Sequence, residues 1–124
     1  MAKILFDLPP VSGMPAEMGT LLVALEDSSR EWRGELGDVP IEALTWQPFP
    51  GGHSIGAVLL HIADVENYWV HDFCQGFTTP NHEKAELLGE ETMQDDVSWP
   101  TPPAKALEWY IEKLEWARAR TIEA

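Results

Sequence analysis

Chemistry in this chain can come from few side chains: four histidines, one cysteine, and one carboxylate set among apolar residues. His61 stands in the run HSIGAVLLHIADVE, with Glu66 five positions further on. An imidazole can ligate a divalent metal or move a proton near neutral pH. A transition-metal centre takes three or four donors converging on one point. One helical turn to either side of His61 stand Ala57 and Val65, so this stretch holds no HxxxH pair, and the helical pattern turns Asp64 mostly outward. Residue types alone leave two readings: a satisfied, half-covered histidine, or one ligand of a set completed elsewhere.

Glu66 lies near the centre of an apolar stripe, where an unpaired carboxylate is costly. It needs a structural partner, an arginine such as Arg118 or a tryptophan indole. The functional alternative is a general base or a group that orients His61. His53 precedes the helix that carries His61 and reads as a turn residue stacked on Trp46 or Phe49. His71, on the face opposite the stripe, and His82, in a loop, read as solvated. Cys74 has no Lys or Arg beside it to lower its pKa, which argues against a nucleophilic role. Glu90, Glu91, Asp95 and Asp96 lack calcium-loop spacing and read as a solvated acidic set. No Gly-rich phosphate loop, no G-x-S-x-G and no cysteine pair occurs.

Three amphipathic stretches must position these groups. The first spans about 15–36, with Met14, Met18, Leu21, Leu22, Leu25, Trp32 and Leu36 at spacings of three and four, Pro15 in the first turn and Gly37 as the stop. A proline-marked connector follows, in which IEAL makes one helical turn. The second helix spans about 54–75, with Ser54 as its N-cap. Ile55, Leu59, Ile62, Glu66, Trp69 and Phe73 form its stripe, widened by Val58, Val65 and Val70, and the helix frays near Gly76. The third spans about 102–123, opened by Thr101 as cap and Pro102, with Leu107, Ile111, Leu114 and Arg118 on one face. Between the last two runs a long loop, 76–101. A connection of that length can cover a whole helix, so the third can lie parallel to the second. The leader 1–13 is extended, and Phe6 and Leu8 can lie against the helices.

The 124 residues make one domain, 1–124, able to bury a single core. A net charge of −13 repels phosphate backbones and anionic lipid, which speaks against nucleic acid and membrane surfaces as partners. The start MAKILFDLPP does not read as a signal peptide, and one cysteine fits a reducing compartment; the expected location is the cytoplasm. Six tryptophans exceed the needs of a small core, so some line a pocket or an interface, Trp69 among them.

The order TWQP, GGHSIGAVLLHIADVENYW, DDVSWPTPP and ALEWYIEKLEWARARTIEA resembles the first three helices of the DinB-like (damage-inducible) superfamily. The resemblance implies an all-α, up-and-down bundle of the four-helix type, with a long connection between its second and third helices. It also implies a divalent metal, zinc or nickel, held by one second-helix histidine, here His61, and by two ligands of a fourth helix. The chain ends at Ala124 inside an element, so that helix and its ligands are expected beyond Ala124 or from another chain. Relatives of this kind include thiol-dependent S-transferases and isomerases, in which the metal would activate a small-molecule thiol, and the resemblance implies a metal-dependent thiol S-transferase or hydrolase of stress or detoxification type. The alternative is a non-catalytic helical module with an incomplete metal site. Three helices with one open apolar side imply a homodimer.

Overall fold

A computed structural model describes residues 8–88 and 99–124. The chain is all-helical: α1 (Ala16–Leu36), α2 (Ile41–Thr45), α3 (Ile55–Glu66), a π-helix (Asn67–Cys74), α4 (Asn81–Leu88) and α5 (Leu107–Glu123). No helix among the described residues is long and apolar enough to cross a membrane. Two compact units divide the chain, one closing at Gly37 and the other running from Asp38 to Ala124. Phe6 and the acidic set Glu90, Glu91, Asp95 and Asp96 lie outside the described residues.

The first unit is α1 with its leader folded back on it. Val11 N–H donates to Gly19 O at 3.2 Å. A Cβ at Gly19 would stand 2.5 Å from Val11 O, so glycine is what lets the leader lie against the helix. Pro15 is the N-cap residue rather than the first helical one, and Gly37 ends the helix at φ 58°. Met18 and Leu21 are more than half exposed.

In the second unit α3 packs along α5. Gly56 meets Tyr110, Glu66 meets Arg118, and Asn67 meets Arg120, so the contacts ascend together and the two helices run parallel. The core is Leu44, Ala57, Leu59, Leu60, Ala63, Tyr110, Leu114 and Ala117. Burying a side chain such as Leu60 is worth about 2 kcal/mol. Gly56 has no room for a side chain, since its Cβ would come within 2.8 Å of Tyr110 Oη and 3.0 Å of Leu44 O. Tyr110 is fully buried, its hydroxyl donates to Pro103 O, and burial pushes its pKa up to about 12.

Three sequence expectations need correction. The face of α3 that packs is Gly56, Ala57, Leu59, Leu60 and Ala63, continued by Asn67, and of the apolar residues of the expected stripe only Leu59 is buried. Ile55, Val58, Ile62, Trp69 and Phe73 are each more than a third exposed. α3 is apolar nearly all round, and at Gly56 the absence of a side chain leaves room for the Tyr110 ring of α5 and the Leu44 carbonyl. Second, α5 starts at Leu107 with Ala106 as cap. The expected cap, Thr101, gives its hydroxyl to Gln47 Oε1 at 3.1 Å, and Pro103 O is taken by Tyr110. Third, the expected loop 76–101 contains α4, whose first turn closes through Lys84 N–H to Pro80 O at 3.1 Å. IEAL does form α2, and the Ser54 hydroxyl accepts from Ala57 N–H at 3.2 Å.

Candidate functional site

His61 projects from the middle of α3 and is half-buried, edge-on to the Trp99 indole with ring centroids 5.2 Å apart. His53, exposed ahead of the α3 cap, meets the same indole edge-on at 4.5 Å. Two imidazoles therefore share one tryptophan. The arrangement is built by the 47–52 turn. Gln47 Nε2 donates to Gly52 O at 2.9 Å and to Trp99 O at 3.2 Å, and Trp99 N–H donates to Gly51 O at 2.8 Å. This stitching corrects the expected stacking of His53 on Trp46 or Phe49, both of which are about two-thirds exposed.

Glu66 has the structural partner that the sequence allowed. Arg118 Nε donates to its Oε1 at 2.7 Å and Arg118 Nη2 to its Oε2 at 3.2 Å, with Thr121 Oγ1 also donating to Oε1 at 2.7 Å. Both oxygens are engaged by α5. Such a fork fixes the carboxylate in place and offsets the cost of its partial burial. The structure thus brings His53 and His61 to one indole and places Glu66 in a different setting, against α5. Trp69 is 52 % exposed and packs edge-on to Tyr68 and Phe73, at 5.3 and 5.1 Å.

Sequence reasoning missed a second polar centre, around the π-helix. Asn67, fully buried, donates from Nδ2 to Thr79 Oγ1 at 3.0 Å and accepts at Oδ1 from Arg120 Nη1 at 3.1 Å. Thr79 Oγ1 donates to Asp72 Oδ1 at 2.7 Å, and His71 Nδ1 lies 2.9 Å from the same oxygen. Lys84 Nζ approaches Asp72 Oδ2 to 4.0 Å, and Arg120 pairs with Glu83 while stacking on Trp116 at 4.4 Å. Burial works against the charged form of Asp72. The bonds from His71 and from the hydroxyl and backbone N–H of Thr79, with Lys84 beyond, outweigh it and hold the carboxyl below its usual range. His71 is half-buried and stacked on Phe77 at 4.9 Å, not solvated as expected. A signal for this centre was available: Asn67 falls four residues after Ala63, a polar group on the face of small residues.

A metal is tested by its donors. Among the described residues no three of His, Cys, Asp and Glu come together in a way that could hold an ion. The described ring partner of His61 is the Trp99 indole.

The model of the DinB superfamily matches residues 24–123, which covers most of the chain. The chain belongs to the DinB superfamily. Nothing among curated proteins and nothing among solved structures matches it.

Proposed function

We propose that this DinB-superfamily chain is a helical association module that pairs with a second copy of itself. The observation that carries the reading is the outward row of Ile55, Val58, Ile62 and Trp69, which runs beside the buried face of α3. Ile62 is 39 % and Trp69 52 % exposed, and a row of large apolar side chains in line along one helix is what helix-to-helix association buries. Sedimentation velocity tests it. A dimer for the native chain that becomes a monomer in Ile62→Asp and Trp69→Glu supports the proposal, and a native monomer across micromolar concentrations overturns it.

A second reading has its own observation. His61 occupies the motif position of the family's second-helix histidine, and His53 shares its indole. In this reading His61 is one donor to a zinc or nickel ion whose remaining donors come from outside the described residues. The chemistry would be that of a thiol S-transferase or a hydrolase. No reaction step follows from the donors described. Metal content after purification without an affinity tag, beside His61→Ala, separates the two: near-stoichiometric metal lost in the variant establishes the ligand, and metal-free native protein removes it.

A further inference from the structure

The eight residues Asn67–Cys74 are wound as a π-helix, with Gln75 N–H donating to Val70 O at 3.2 Å, five residues back. This winding is less favourable than the α-helix it interrupts, and such segments concentrate where side chains demand them. The demand here is visible. Thr79 Oγ1 is the common partner of Asn67 and Asp72, five positions apart, and lies 3.5 Å from His71 Nδ1. In an α-helix five residues advance the chain by about 500°, leaving the first and sixth side chains about 140° apart. They could not share one hydroxyl. With i to i+5 pairing, the residues four and five further on flank the first, which is the arrangement of Asn67, His71 and Asp72.

We infer that Thr79 is a register lock: its buried hydroxyl, bonded at once to Asn67 and Asp72, holds the segment after α3 in the π form, and losing it rewinds the segment to α. Arg120 braces the lock from α5 through Asn67 Oδ1 and through Thr79 Oγ1 at 3.3 Å, and it pairs with Glu83 of α4. Among the described residues the titrating and charged groups around the hydroxyl are His71 and Asp72 on the π-helix, Glu83 and Lys84 on α4, and Arg120 on α5. The lock also sets which way the aromatics point. A continuous α-helix puts Phe73 in line with the outward Ile55 and Ile62, whereas the π form advances less per residue and offsets Phe73 from that row; it stands beside Tyr68 and Trp69, 63 % exposed. Its bearing on pairing with a second copy rests on the association reading above; the lock itself does not.

Backbone NMR and amide exchange on the full chain test the lock, with Thr79→Val removing the hydroxyl at nearly constant shape and Thr79→Ser restoring it. The expected result is that Thr79→Val exchanges the Gln75 and Phe77 amides about tenfold faster or more and shifts the Cα resonances of 67–75 to an α pattern with i to i+4 contacts. Thr79→Ser keeps the native spectrum. Native π contacts in Thr79→Val overturn the inference. Should that variant not fold, Asp72→Ala supplies the same readout, and global unfolding of both overturns the inference as well, because the hydroxyl then holds the fold and not the register. Sedimentation is read separately. A native monomer removes the association reading while the spectra still decide the lock.

Discussion

The two ends of the α3–α5 contact are held by opposite kinds of chemistry. At the leading end Gly56 makes room for the Tyr110 side chain, and Leu60, Ala63, Leu114 and Ala117 are buried in the same core. At the trailing end Glu66 and Asn67 face Arg118, Arg120 and Thr121, and four directional hydrogen bonds replace apolar contact. The first end is governed by volume and is intolerant of any added atom. The second is governed by pairing and is intolerant of any removed partner. A single helix pair thus has its spacing set at one end and its register set at the other.

The sharpest way to break the comparison is at the paired end. Arg118→Ala leaves Glu66, whose side chain is only 14 % exposed, without its fork, and is expected to cost about 3–5 kcal/mol. Urea unfolding measures it, and a loss below about 1 kcal/mol would show the pair to be screened like a surface ion pair. Next comes the packed end. Gly56→Ala drives a Cβ to 2.8 Å from Tyr110 Oη and is expected to cost about 1–3 kcal/mol. Combining it with Tyr110→Phe removes Oη but leaves the ring Cζ, 2.9 Å from the added Cβ, so at most a small part of that loss should be recovered; full recovery would place the strain on Oη alone.

Acid probes the π-helix beyond the paired end, through Asp72. Asp72 is held below its usual range in the fold, so its contribution is complete above the unfolded value of 3.8 and is lost as pH falls through the lower folded value. Unfolding midpoints below about pH 4 should therefore fall more steeply for the native chain than for Asp72→Asn, and parallel slopes would remove Asp72 from the balance. The smallest effect is expected away from both ends. Trp69→Glu should change the stability of the folded chain by no more than about 0.5 kcal/mol while abolishing self-association, because the side chain is half exposed. A large stability loss would mean that Trp69 packs within the fold.

Much of the local structure was legible because it depends on neighbours in the sequence. Ser54 caps α3, Gly37 ends α1 in the left-handed region, IEAL makes its single turn, and the membership in the DinB superfamily was carried by contiguous motifs. The Glu66–Arg118 pair was legible for another reason: a carboxylate in an apolar stripe must find a cation, and Arg118 stood in the facing stripe. The apolar face of α3 was misread because hydrophobicity alone cannot choose between two apolar faces of one helix. His53 was expected on Trp46 or Phe49 and meets Trp99 instead, because that partner lies 46 positions away and is held in place by Gln47.

The sequence by itself determined that this chain is helical, where its helices cap and break, and to which superfamily it belongs, since those follow from side chains within a few positions of one another. The tertiary structure decided which face of α3 is buried, that Trp99 joins His53 to His61, and that the segment after Glu66 winds as a π-helix. Each of these depends on a hydroxyl, an amide or a glycine meeting a partner from a distant element. Periodicity records how a helix repeats, but not which distant group will make a different repeat the stable one.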